Sequence, residues 1–232
     1  MIKPRNSLIF KDQIEAANAL FETFPADISS KKPVLLSASL DSVILVDEIA
    51  KKLKTNYDIF FTEAIHSQIN KECVIGMVSQ TEEIVYIEEF INSFEINMDY
   101  LYGEASRKYE EQILANIYKY RKGEKLTNLQ DKDVILLDEG CETGLTALTC
   151  LKSIISLNPR SVAYATPLIA SDTYENLSSI IDKIYTVHNI ANFVNVDFYY
   201  EEKIKLSNLE IISKLKESKH YLSLKGEKID EI

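Results

Sequence analysis

A doubly wound α/β fold on a mostly parallel sheet is what this sequence predicts, from short apolar runs of strand length and the amphipathic stretches between them. The runs are Val34-Leu35-Leu36, Ile59-Phe60-Phe61, Val134-Ile135-Leu136-Leu137 and Val162-Ala163-Tyr164-Ala165. Strands buried on both faces lose the polar alternation of a half-exposed strand, so a continuous apolar run is their signature. The amphipathic stretches are Lys11 to Phe24, Val43 to Lys54, Tyr100 to Tyr120 and Thr143 to Leu157, each with apolar residues at helical spacing. One segment departs from the alternation. Val74 to Val78 and Ile84 to Ile87 are β-rich and separated by Ser-Gln-Thr-Glu-Glu, which predicts a β-hairpin beside the main sheet.

No Pro/Gly/Ser-rich linker and no fixed-period repeat interrupts the chain, so a single domain over residues 1–232 is expected, with residues 64–95 as a hood or hairpin region within it. The 232 residues are 46% hydrophobic, enough for an ordinary core. Lys and Arg number 26 against 36 Asp and Glu, a formal charge of −10 that repels nucleic acid. The N-terminal residues lack an apolar run of signal-peptide length, and no run spans a bilayer; a cytoplasmic protein without a membrane partner is the expectation. Cys73, Cys141 and Cys150 lack CxxC spacing, and His66, His188 and His220 lack an HExxH spacing. Neither set supports a metal site.

The residues that carry chemistry converge on one strand-to-helix turn, Val134-Ile135-Leu136-Leu137-Asp138-Glu139-Gly140-Cys141-Glu142-Thr143-Gly144-Leu145-Thr146. In open α/β sheets ligands bind beyond the carboxyl ends of strands, where helix N-termini offer amides. Gly140 and Gly144 allow close backbone approach, and Thr143 and Thr146 place hydroxyls on the opening helical turn. Asp138 and Glu139 add two acids at the strand end. Such a turn can hold a phosphate while its carboxylates accept hydrogen bonds from sugar hydroxyls. A bland alternative stands beside this: Thr143 caps a helix and the glycines turn the chain.

Two families share parts of this pattern. The S-adenosylmethionine-dependent methyltransferase turn has an acid followed by Gly-x-Gly-x-Gly, which Asp138, Gly140 and Gly144 partly echo; here Glu142 replaces the middle glycine, and the following strand ends at Ala165-Thr166-Pro167 without a carboxylate. The fuller match is to type I phosphoribosyltransferases, whose signature is four apolar residues, two acids, a short loop, then Thr-Gly-x-Thr. Asp138, Glu139, Thr143, Gly144 and Thr146 occupy its positions. The chain most resembles the predicted phosphoribosyltransferase subgroup. That match takes in Phe10-Lys11-Asp12, Asn70-Lys71-Glu72 ahead of Gly76, Tyr120-Arg121 with Gly123, Thr166-Pro167, and Phe193 with Phe198-Tyr199.

The resemblance implies a phosphoribosyltransferase that moves ribose 5-phosphate from phosphoribosyl pyrophosphate (PRPP), with Mg²⁺, to an unidentified nitrogen acceptor. Asp138 and Glu139 would face the ribose hydroxyls, with the loop Gly140, Cys141, Glu142, Thr143, Gly144 and Thr146 around the 5-phosphate. No residue is assigned to bond-making itself. The pyrophosphate end is degenerate: the subgroup's Pro-Arg-Gly-Gly turn falls on Ser39-Leu40-Asp41-Ser42, and two further basic pairs fall on Glu63-Ala64 and Ala115-Asn116. Glu142 stands where the subgroup has a small residue; facing inward it would repel a phosphate, and facing outward it is a favourable first-turn acid. The rival reading is therefore a catalytically inactive protein of the same fold that binds a nucleotide, a sugar phosphate or a protein partner. The resemblance and the Tyr-rich stretch from Tyr100 to Tyr120 also suggest a homodimer.

Overall fold

The computed structural model describes residues 8–202 and 204–222. Its main sheet contains five parallel strands, β1 (Val34–Ser37), β2 (Tyr57–Ile59), β6 (Asp133–Leu137), β7 (Ser161–Ala170) and β8 (Lys183–Ile190). Their spatial order is β2-β1-β6-β7-β8. A smaller antiparallel sheet holds β3 (Thr62–His66), β4 (Val74–Ser79) and β5 (Ile84–Tyr86). The fold class is the mostly parallel, doubly wound sheet with an added hairpin region that the alternating pattern implies.

Successive strand residues point to opposite faces, which explains why the central strands are apolar throughout. Leu35 of β1 packs with Ala16 and Leu20 of α1 (Gln13–Phe21) and with Leu45 and Ile49 of α2 (Val43–Leu53). Leu36, the next residue, packs in a separate cluster with Leu151 and Ile154 of α6 (Leu145–Ser156) and Leu177 of α7 (Ser171–Ser178). Asp12 starts α1, its side chain accepting from the Glu15 amide at 2.8 Å. The α1/α2 cluster continues into the small sheet through Ile65, Ile75 and Val78.

A helical stretch covers the small sheet: α3 (Glu88–Ser93) leads to α4 (Met98–Lys108), which passes through a π-turn at Tyr109–Ile113 into α5 (Leu114–Arg121). It buries Leu101, Ala105, Ile113 and Tyr120 and leaves Tyr102, Leu114 and Tyr118 exposed. Near the C-terminus, α8 (Asn208–Glu217) carries a capping box between Ser207 and Glu210. Residues after it shield the edge strand: the Tyr57 amide donates to the His220 carbonyl, and the Leu222 amide to that of Tyr57. Among the described residues, no helix is long and apolar enough to cross a membrane.

The structure redraws several sequence-based boundaries. The run Ile59-Phe60-Phe61 is no single strand; β2 stops at Ile59 and β3 begins in the other sheet at Thr62. Phe60 and Phe61 are apolar because this crossover is itself buried. The strand expected to end at Pro167 runs on to Ala170. A proline fits there because β6 has already ended, its last residue Leu137 pairing with Ala165. Beyond that point Cys141 takes over as neighbour, donating to the Leu168 carbonyl at 2.8 Å and accepting from the Ala170 amide at 3.0 Å. Strand β8 was not apparent as an apolar run, because Lys183, His188 and Asn189 interrupt it on an edge that one neighbour leaves open.

Leu35→Ala and Leu36→Ala, adjacent in sequence but separated by the sheet, are each expected to lower unfolding free energy by about 2–5 kcal/mol. Urea denaturation followed by circular dichroism measures both. A loss under about 1 kcal/mol in either would contradict burial on that face.

Candidate functional site

The chain leaves β1 toward β2 on one side and returns as β6 on the other, so the carboxyl ends of β1 and β6 form the topological switch of the sheet. The two sequence-predicted loops, residues 39–42 after β1 and 138–144 after β6, lie there side by side. A hydrogen bond joins them: Ser42 Oγ donates to Asp138 Oδ1 at 2.8 Å.

Asp138 and Glu139 are both buried. Asp138 Oδ1 also accepts from the Glu139 amide at 2.9 Å, and Oδ2 from the Tyr164 hydroxyl at 3.3 Å. The Glu139 carboxylate accepts from Gln13 Nε2 at 2.6 Å, and its carbonyl from the Tyr200 hydroxyl at 2.7 Å. Gln13 Nε2 donates to the Asp41 carbonyl as well, at 2.9 Å, tying α1 to both loops. Burial, with the neighbouring Glu139 charge, pushes the Asp138 carboxyl up to about 7 against the pull of its donors. Burial likewise pushes the Cys141 thiol up to about 12, leaving it an unreactive thiol at neutral pH.

Gly144 precedes α6 with φ of +73°, the left-handed region that favours glycine. A Cβ there would lie 2.6 Å from Thr173 Cγ2, and one on Gly140 would lie 2.8 Å from Val196 Cγ1. The space both glycines leave is filled by this chain's own side chains. Gly144, rather than Thr143, is the residue before the helix; Thr143 Oγ1 sits 3.5 Å from the Leu145 amide, a weak contact. Thr146 turns its hydroxyl to Met77 Sδ of β4 at 3.2 Å. Glu142 is exposed, and its carbonyl accepts from the Thr173 hydroxyl at 2.6 Å. With Thr143, Asp172, Thr173 and Phe193 it lines a cleft of about 760 Å³ beyond the ends of β7 and β8.

In the turn after β1, Ser39 and Ser42 share a 2.9 Å hydroxyl contact, Leu40 packs against the core, and Asp41 is exposed. The other two positions where the family has basic pairs meet in space: Asn116 Nδ2 donates to Glu63 Oε1 at 3.2 Å. An amide and an acid are thus paired where cations would be expected. Magnesium, implied by the resemblance, is not matched by these donors: Asp138 and Glu139 are committed to Ser42, Tyr164 and Gln13. No group of three or more His, Cys, Asp or Glu side chains placed to hold a metal ion occurs among the described residues.

Gln13, Tyr164 and Tyr200 were not legible as site residues. Gln13 alone left a trace, a polar residue on the apolar face of an amphipathic stretch; Tyr164 and Tyr200 look like ordinary core aromatics until the sheet brings them to the two acids.

In the order of its motif residues the chain resembles the type I phosphoribosyltransferase family. Over 205 residues, 88% of this chain, it is 20% identical to two Mycobacterium tuberculosis proteins, from strains CDC 1551 and H37Rv, that carry the name "Putative phosphoribosyl transferase". It spans about half the length of these relatives, 46%. Among solved structures, TT1426 from Thermus thermophilus superposes with a TM-score of 0.71 at 22% identity, covering 90% of this chain and 99% of that one, and so has the same fold. A hypoxanthine phosphoribosyltransferase from Staphylococcus aureus gives a TM-score of 0.44 at 15% identity, over 78% of this chain and 76% of that one. No family model matches the chain.

The raised Asp138 carboxyl makes its contribution to stability pH-dependent. The folded state holds a proton that the unfolded chain releases near pH 4, so this contribution is full below that and declines, by up to about 1.4 kcal/mol per pH unit, until about pH 7. Asp138→Asn should flatten this decline and be more stable than the parent at pH 8; parallel melts at pH 5 and 8 test it, and an unchanged slope refutes it. Gly144→Ala should cost about 1–3 kcal/mol. Adding Thr173→Ser, which removes the opposing methyl, should recover only the part due to the clash, as chemical denaturation of the single and double variants will measure.

Proposed function

We propose that this protein keeps a phosphoribosyltransferase fold but binds a nucleotide or sugar phosphate without transferring ribose 5-phosphate from PRPP. The observation that carries this reading is the internal engagement of Asp138 and Glu139. Their acceptor oxygens take donors from Ser42, Tyr164 and Gln13, whereas a PRPP site needs them turned to ribose hydroxyls. Turning the acids to ribose hydroxyls would leave Ser42, Tyr164 or Gln13 without its acceptor, at a cost of about 1–3 kcal/mol for each donor left buried. The neutral or acidic character of Leu40, Asp41, Glu63 and Asn116 adds to it, since pyrophosphate is bound through charge-assisted bonds that these residues cannot donate.

The phosphate end keeps more of what a ligand requires. Thr143 is exposed at the approach to α6, a helix of 12 residues, beside the cleft that Phe193 and Thr173 line. A phosphate monoester held there would meet the positive end of the helix dipole, offset in part by Glu142 and Asp172. The transferase reading retains one support of its own, the name carried by the two Mycobacterium tuberculosis relatives.

Isothermal titration with PRPP and Mg²⁺, with ribose 5-phosphate and with AMP decides between them. Each missing charge-assisted contact removes about 1.5–3 kcal/mol, so PRPP is expected to bind no more than about tenfold better than AMP, without base-dependent pyrophosphate release. Low-micromolar PRPP affinity, with base-dependent pyrophosphate release that Asp138→Asn abolishes, would make the protein a working transferase.

A further inference from the structure

Tyr120-Arg121, singled out in the sequence, takes no part in the loops after β1 and β6. Arg121 is the last residue of α5 and is only 1% exposed. Its guanidinium carbon lies 5.1 Å from the centre of the Phe61 ring, and Nη2 donates to Gln80 Oε1 at 2.7 Å. The buried Asp58 carboxylate faces Nη1 at 3.6 Å, too far for a hydrogen bond. Asp58 instead accepts from the amides of Ile59 and Thr127, at 2.8 and 3.2 Å. Arg121 Nε and Nη1 consequently lie buried without a hydrogen-bond partner. Asp58 supplies the counter-charge of a buried salt bridge, but two donors on the cation without a hydrogen bond remain costly, and an acceptor within hydrogen-bond reach would relieve them.

Arg121 stands in the wall of a cavity of about 610 Å³ between the end of α5, the β4–β5 turn and the C-terminal end of α6. The volume falls in the range of small-molecule sites. The cavity's charged residues are Arg121, Lys125 and Glu124, and Asp58, outside the lining, pairs with Arg121. Asn128, Gln130 and Asn158 bring amide side chains to the same space. None of its lining residues belongs to the loops at 39–42 or 138–146. Residues 122–130 carry neither helix nor strand, so this wall can yield to an entering ligand more readily than a helix could.

We infer that this cavity is a second binding site, for a small metabolite bearing a phosphate or carboxylate group. Nε and Nη1 are sealed from solvent in this structure, so the 122–130 wall shifts to admit the oxyanion, which then supplies the acceptors they lack; Lys125 adds a second positive charge, and the amide side chains donate to the anion's remaining oxygens.

The test is a titration of the isotope-labelled full chain with inorganic phosphate and with citrate, at constant ionic strength with chloride as control, followed through the Arg121 Nε–H signal and backbone amides 123–130. Saturable shifts with phosphate or citrate, absent with chloride, are expected; which anion binds tighter distinguishes a phosphate from a carboxylate ligand. Lys125→Glu, an exposed substitution, should weaken binding by roughly tenfold or more. Arg121→Gln should abolish it, its fold checked in the same spectra; if that variant does not fold, Lys125→Glu and the Nε–H signal carry the test. An Arg121 Nε–H that neither anion moves, equal shifts with chloride, undiminished binding by Lys125→Glu, or shifts confined to residues 141–145 would each overturn the proposal.

Discussion

The Asp138 carboxyl group sits at the end of the central strand of a sheet covered on both faces, and the arrangement around it follows from the need to satisfy it there. A carboxyl in such a place must keep a proton or find donors. Asp138 does some of each: burial raises its affinity for a proton, while Ser42, Tyr164 and the Glu139 amide donate to it. The Ser42 bond fixes the start of α2 against the end of β6. Glu139 then meets Gln13, which also holds the Asp41 carbonyl, so the first helix is locked over both loops by one side chain.

The same constraint shapes the loop after β6. The fold, shared with the Thermus thermophilus protein, places this loop at the switch point of the sheet. Here the loop's resources are spent inside the chain. The Cys141 amide bonds to β7, Gly140 makes room for Val196, Gly144 for Thr173, and Thr146 turns to Met77. These contacts make the loop part of the protein's packing. Glu63 and Asn116 likewise engage each other.

Much of the fold was legible because burial on two faces writes itself into composition. β1 and β6 are apolar at every central position, and the Val74–Val78 and Ile84–Ile87 hairpin showed through its β-rich halves and polar turn. The illegible elements were those for which apolar character had another cause or was diluted. Phe60 and Phe61 are buried in a crossover between sheets, and β8 carries Lys183, His188 and Asn189 because it is an edge. The continuation of β7 past Pro167 depended on Cys141 replacing β6 as its neighbour, a pairing between residues far apart in sequence.

The candidate site divides in the same way. The sequence alone determined which residues stand at the turn after β6, that two acids are adjacent there, and that the expected cations are absent at Leu40, Asp41, Glu63 and Ala64; these are matters of identity and order. Only the tertiary structure decided what those residues do. Glu142 turns to solvent, Asp138 and Glu139 are buried, and their partners Gln13, Ser42, Tyr164 and Tyr200 come from four distant parts of the chain. The physical reason is that a carboxylate's role depends on the donors and solvent within a few ångströms of it, and those neighbours exist only once the sheet has closed.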